Sequence, residues 1–122
     1  MSLRILCIED EAGLREDMEL ELEHAGYAVE CAADGLAGIV AIQSAEFSLV
    51  LCDVQVPLAN GLEVLAAVAE LPDGRVRPPF FMLTAFSDPN LHARCTALGA
   101  ARVLTKPVDY TELMNLIAGE IG

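Results

Sequence analysis

Asp53 ends an apolar run, Phe47-Ser48-Leu49-Val50-Leu51-Cys52, and precedes Val54-Gln55-Val56-Pro57. A carboxylate at the end of a buried strand is costly unless it is paired or has chemistry to do. Glu9 and Asp10 end a second apolar run, Leu3-Arg4-Ile5-Leu6-Cys7-Ile8. Thr84 ends a third, Phe80-Phe81-Met82-Leu83, and Lys106, followed by Pro107, ends a fourth, Val103-Leu104-Thr105. The C-terminal ends of parallel strands lie on one edge of a sheet, where ligands and reactive groups gather. Three carboxylates brought together there would repel one another at low dielectric. A divalent cation relieves that repulsion, and magnesium, a hard ion, takes oxygen ligands and keeps several waters. Asp53 could both ligate the ion and attack phosphorus, giving an acyl phosphate. Lys106 could neutralise a phosphoryl oxygen as a point charge, and Thr84 could donate a hydrogen bond to another. Phosphoryl transfer needs mainly this kind of positioning and charge stabilisation.

Alone, each group has an ordinary reading. Aspartate is a favoured turn residue, an acid pair extended by Glu11 is a solvated turn, Thr84-Ala85 is a cap and Lys106-Pro107 is a loop. The joint pattern, with these groups at these strand ends in this order, carries the chemistry.

The elements that must position them alternate. After the first strand, Leu14, Met18, Leu22 and Ala25 recur at helical spacing, and Gly26 is a stop signal. Tyr27 to Cys31 reads as a short strand. Asp34 caps a helix through Ile39 and Ile42. The Asp53 strand follows, then a loop with Pro57 and Gly61 and a helix carrying Leu62, Leu65 and Val68. Pro72-Asp73-Gly74 breaks that helix, and Pro78-Pro79 precedes the fourth strand. Asp88-Pro89 starts a helix lined by Leu91, Cys95 and Leu98 and ended by Gly99. Asp109 and Glu112 form a capping-box-like pair ahead of Leu113, Leu116 and Ile117. About five βα units imply a doubly wound α/β fold, a parallel sheet with helices on both faces. Right-handed crossovers put the first and last helices on one face and the other three on the opposite face. Strand order 2-1-3-4-5 places the switch point between strands 1 and 3, which brings Glu9, Asp10 and Asp53 to the ligand crevice.

At 122 residues one domain, 1–122, is expected. Seven basic against nineteen acidic residues give a net charge of −12, which disfavours nucleic acid and anionic membranes as partners. There is no apolar run of membrane-spanning length and no basic-then-apolar leader. The four cysteines, Cys7, Cys31, Cys52 and Cys95, lack zinc-site spacing and read as small hydrophobes. A cytoplasmic location is the simplest expectation.

The chain resembles the receiver domain of two-component response regulators, of the flavodoxin-like, CheY-like (βα)5 type, over essentially its whole length. The residues that carry the resemblance are Ile8-Glu9-Asp10-Glu11, Asp53 with Pro57 and Gly61, Thr84-Ala85, and Gly99-Ala100 through Lys106-Pro107. The resemblance implies that Asp53 accepts phosphate from a sensor histidine kinase or a histidine phosphotransfer protein, and that the change is relayed to a downstream protein target or a fused output domain. It implies that the domain is not an enzyme beyond its own phosphorylation and autodephosphorylation. By the same resemblance Asp10, Asp53 and the backbone carbonyl of Gln55 bind Mg2+ directly, with Glu9 acting through water. Lys106 would hold the phosphoryl group, Thr84 would move toward it, and the Lys106-Pro107 bond would be cis. The fourth and fifth helices are the implied partner surface, with His92, Arg94, Tyr110 and Met114 as candidates. Gln55 and Phe86 occupy positions that influence access of hydrolytic water in this family. Two positions depart from the pattern: Val103 stands where an aromatic residue is usual, and Val56 where methionine is usual.

Three other readings compete. A haloacid-dehalogenase-type phosphatase needs Asp-x-Asp after the first strand, whereas the acids here are adjacent. A phosphorylation-independent interaction module would not need the full residue set. A flavin carrier needs a Ser/Thr/Gly-rich loop after the first strand. With no output domain after the last helix, the sequence is expected to be a stand-alone receiver or one excised from a longer protein.

Overall fold

The computed structural model describes residues 3–122. Five strands alternate with five helices: β1 (Arg4–Ile8), α1 (Ala12–His24), β2 (Ala28–Ala32), α2 (Gly35–Ser44), β3 (Leu49–Asp53), α3 (Gly61–Ala69), β4 (Phe80–Thr84), α4 (Pro89–Ala97), β5 (Arg102–Thr105) and α5 (Tyr110–Ile121). Every strand pairing is parallel. The order is β2-β1-β3-β4-β5, the order expected from the sequence.

β3 and β4 are buried at every position, as expected for central parallel strands covered on both faces. The edge strands β2 and β5 are only partly buried. Alternate side chains along each strand serve opposite faces, so the core has two layers. Ile5, Cys7, Leu49, Leu51, Phe81 and Leu83 pack against Met18 and Leu22 of α1 and Leu113 and Ile117 of α5. Leu6, Ile8, Val50, Cys52, Phe80 and Met82 pack against Ile42 of α2, Val64, Leu65 and Val68 of α3, and Cys95 of α4. The two-and-three division of helices follows.

Helix ends explain how the loops at the functional edge are held. Glu11 is the N-cap of α1, its carboxylate accepting the N–H of Gly13 at 2.9 Å and of Leu14 at 2.8 Å. Asp34 caps α2 through Ala37 N–H at 2.7 Å, and Asp88 caps α4 with Pro89 at its start. Asp109 accepts the Glu112 N–H at 3.1 Å, but only this half of the expected capping box forms among the described residues. The reciprocal box lies instead on α3, between Asn60 and Glu63. Two leucines read as inward-facing differ. Leu14 is 37% exposed, and Leu98, at 46%, is the C-cap of α4 rather than part of its buried stripe.

Candidate phosphoacceptor site

β1, β3, β4 and β5 each deliver one part of the site at the same sheet edge. β1 ends in Ile8, and the chain turns at Glu9-Asp10. The Glu9 N–H donates to Ala32 O at 3.0 Å, which fixes the turn on the end of β2. Arg15, one turn into α1, donates to the carbonyl oxygens of Glu9 at 2.9 Å and Asp10 at 3.3 Å. The sequence reading passed over Arg15; its signal was a cation placed to cross the start of α1. Glu9 is buried, at 1% exposure, while Asp10 is exposed.

Asp53 is the last residue of β3 and is 7% exposed. Its Oδ1 accepts the Gln55 N–H at 3.0 Å, and its Oδ2 accepts from Lys106 Nζ. Gly61 lies against this turn. Its N–H donates to Val54 O at 2.9 Å, and a Cβ there would sit 2.7 Å from Met82 Sδ and 2.8 Å from Asp53 O. No side chain fits without moving the aspartate's own backbone, which explains why glycine starts α3.

Thr84 ends β4 and is fully buried. Its Oγ1 accepts the Phe86 N–H at 3.0 Å, so the hydroxyl is tied to the following loop. Its carbonyl accepts the Lys106 N–H at 2.7 Å, which fixes the end of β5 beside it. The Lys106–Pro107 bond is cis, as the resemblance implies. From there the ammonium reaches Glu9 Oε1 at 2.7 Å as well as Asp53. One cation thus bridges two acids from different strands.

Burial pushes the Glu9 carboxyl above its usual range, and the hydrogen bonds from Lys106 and the Glu11 N–H only partly oppose this. Burial also acts against the Lys106 ammonium, but its hydrogen bonds to Asp53 and Glu9 outweigh this and hold its pKa above the usual value. A site with one cation among three acids remains short of positive charge. Glu9, Asp10 and Asp53 each present a carboxylate oxygen, and these oxygens lie within 4.8 Å of one another. An all-oxygen, partly open set of this kind fits a hard divalent cation that keeps some of its water.

The structure therefore brings together Glu9, Asp10, Asp53, Gln55, Thr84 and Lys106. The suggested partner residues come from two helices. His92 and Arg94 lie on α4, whereas Tyr110 and Met114 pack against the core layer shared with α1. Tyr110 lines an open groove of about 500 Å³ with Leu14, Asp17, Met18, Lys106, Pro107 and Val108. Val103 is half-buried against the opposite core layer, and Phe86 is 51% exposed.

The same arrangement recurs in known proteins. The family model for the response regulator receiver domain matches residues 5–118. The chain is 35% identical over 113 residues to the transcriptional regulatory protein CrdR of Helicobacter pylori, which covers 93% of this chain and 52% of that protein. Among solved structures, the chemotaxis response regulator CheY4 of Vibrio cholerae is 29% identical, with a TM-score of 0.88 over 98% of each chain. The receiver domain of a sensor histidine kinase from Pseudomonas aeruginosa has a magnesium ion coordinated in its active-site cleft. It is 26% identical, with a TM-score of 0.89 over 100% of this chain and 99% of that one. Fold and site define a two-component signalling receiver, and the chain belongs to the response regulator receiver domain family. It spans about half the length of the curated relatives it matches. This membership sets aside the dehalogenase-type phosphatase and flavin-carrier readings. No helix among the described residues is long and apolar enough to cross a membrane.

Proposed function

We propose that Asp53 is the phosphoacceptor of a Mg2+-dependent receiver acting in the cytoplasm as one domain, residues 1–122. The observation that carries this reading is the Lys106 ammonium bonded to both Asp53 and Glu9 beside the clustered Asp10 carboxylate. Asp10, Asp53 and the Gln55 carbonyl would hold the ion directly, and Glu9 would hold it through water. When bound, Mg2+ offsets the acidic cluster and the charge of the incoming phosphoryl group. The Asp53 carboxylate attacks the phosphorus of a phosphohistidine on a sensor kinase or phosphotransfer protein. The P–N bond breaks as the P–O bond forms, and the donor histidine leaves neutral after protonation. Lys106 then exchanges a carboxylate partner for a phosphoryl oxygen, a charge-assisted bond of the same kind. Thr84 supplies a hydroxyl donor to another oxygen.

The donor's docking site in this reading is the apolar groove between α1 and α5, because it opens at Lys106 and includes Pro107 and Tyr110. The phosphorylated state is read by a downstream protein or a linked output domain. No external substrate is turned over; the chemistry is self-phosphorylation and its hydrolysis. The test is intact-mass measurement after incubation with acetyl phosphate and Mg2+. One phosphoryl group should appear on the wild-type chain and none on Asp53→Asn, which keeps the shape but lacks the nucleophilic carboxylate. Undiminished labelling of Asp53→Asn would sink the assignment.

A further inference from the structure

Cys7 and Cys31 are direct register partners on the parallel pair β1–β2. Directly paired residues point to the same face, and neighbouring strands lie about 4.8 Å apart. That spacing falls within the roughly 4.4–6.8 Å between Cα atoms that a disulfide needs. Both side chains belong to the core layer under α1 and α5, with Cys7 buried and Cys31 half-buried on the edge strand. All four cysteines are free thiols, and Cys52 and Cys95 lie in the other core layer. Nothing in the phosphoryl chemistry uses Cys7 or Cys31.

We propose that Cys7 and Cys31 are a redox pair, which a peroxide-class oxidant joins in an intrachain disulfide tying β1 to β2 two residues before Glu9. The half-buried Cys31 meets the oxidant first. Its sulfur attacks one peroxide oxygen, the O–O bond breaks, and the departing hydroxide takes the thiol proton as water. Cys31 is then a sulfenic acid. The Cys7 sulfur attacks the Cys31 sulfur, the S–S bond forms, the S–O bond breaks, and hydroxide leaves with the Cys7 proton as a second water. Overall, two thiols lose two electrons and two protons, and one peroxide becomes two waters.

Two further observations fit this order. The Cys7 thiol donates to Met18 Sδ at 3.6 Å, which holds it in the core layer beside Cys31. Donation from Cys7 lowers the Cys31 pKa, against burial and the nearby Glu19 carboxylate, whose Oε2 lies 3.5 Å from the Cys31 sulfur. The more accessible thiol is therefore also the more nucleophilic one. With Cys31 half-buried on the edge strand, the bond is open to attack by a thiol reductant. The residue after Cys31, Ala32, accepts the Glu9 N–H at 3.0 Å, so a bond that alters the β1–β2 pairing acts on the acid turn.

The full chain is treated with hydrogen peroxide, quenched by alkylation and mapped by mass spectrometry. The expected result is loss of two hydrogens per chain, two fewer alkylated thiols, a Cys7–Cys31 cross-linked peptide and full reversal by dithiothreitol. Cys31→Ser should abolish the cross-link, and Cys95→Ala should leave it intact. The Glu9 amide resonance should shift on oxidation of the wild-type chain. Four alkylatable thiols after oxidation, a cross-link between chains, or sulfinic acid at Cys31 with Cys7 still free would each overturn the pair. A cross-link that leaves the Glu9 amide unmoved would overturn its connection to the acid turn.

Discussion

Lys106 Nζ donates to Glu9 Oε1 at 2.7 Å, joining residues 97 positions apart in the chain. Glu9 is the more deeply buried partner, its side chain 1% exposed against 19% for Lys106. Removing the lysine therefore leaves a carboxylate that water cannot reach. Breaking a buried pair on one side costs about 3–5 kcal/mol, and the partial exposure of Lys106 argues for the lower end.

Lys106→Met should thus destabilise the metal-free domain by about 3 kcal/mol at neutral pH. The deficit should depend on pH with a defined sign. Glu9 is already held above the usual 4.5 by burial, and losing Lys106, which lowers it, raises it further. A raised carboxyl favours folding below its unfolded value, and that advantage is lost as pH rises through the folded value. The variant should therefore approach wild type in acid and fall behind between those two values. Mg2+ should narrow the gap, because the acidic cluster without its lysine holds the cation more tightly and is stabilised more by it. Urea titrations across pH measure this; a deficit constant with pH would show that Glu9 is not the group left uncompensated.

Labelling by acetyl phosphate should nearly stop in a chelator. Glu9, Asp10 and Asp53 hold carboxylate oxygens within 4.8 Å of one another, and that cluster repels an incoming phosphate unless a cation offsets it. Asp10→Ala, which removes an exposed ligand, should act like the chelator. Glu9→Ala should have a weaker effect, because its two oxygens are engaged by Lys106 and the Glu11 N–H. Equal rates with and without chelator would reduce the cluster to a solvated turn.

The sheet and the site could be read from the sequence for one reason: β1, β3, β4 and β5 are short apolar runs ended or directly followed by a functional residue. Parallel pairing then puts Glu9, Asp53, Thr84 and Lys106 on one edge without any further information. The elements less easily read are those set by competition between local and tertiary contacts. Glu11 looked like part of an acidic run, yet its side chain caps α1 because two orphan N–H groups lie within reach. Glu112 follows Asp109 at capping-box spacing, but the reciprocal box forms at Asn60 and Glu63. Tyr110 was named for the partner surface that the resemblance implies, and its place in the groove beside Leu14, Asp17 and Met18 of α1 depends on packing that the sequence does not show. The Cys7–Cys31 pairing depends on register, which the cysteine spacing alone does not reveal.

The lifetime of the phosphorylated state should be governed by Phe86. Phe86 and Gln55 follow Thr84 and Asp53 by two positions each, and both reach solvent. Gln55 could orient a hydrolytic water, and the ring of Phe86, 51% exposed in this state, could exclude it once the loop closes on the phosphate. Exclusion should win, giving slow autodephosphorylation. Phe86→Ala should then hasten decay of the phosphoprotein, followed by the loss of phosphoryl mass with time. An unchanged decay rate would remove the ring from the account.

The conformational response should centre on the loop after β4 rather than on β5. Thr84 Oγ1 is bound to the Phe86 N–H at 3.0 Å, so a threonine that turns toward a phosphoryl oxygen must release or drag that loop. Ala85 to Asp88 are exposed throughout and have little packing to lose. Val103, half-buried against the core layer under α2, α3 and α4, has no ring to rotate inward. A hydrogen bond to a charged group contributes about 1.5–3 kcal/mol. Reversing a population from 1:99 to 99:1 requires about 5.5 kcal/mol of differential binding. Thr84 alone therefore gives a partial shift, which Lys106 or a bound partner must complete. NMR spectra with and without beryllofluoride, a phosphoryl mimic, should show large changes from Ala85 to Asp88 and small ones at Val103. Intermediate rather than limiting shifts are expected, moving further when a partner is added. Large changes centred on Val103 with a silent Ala85–Asp88 loop would contradict this route of coupling.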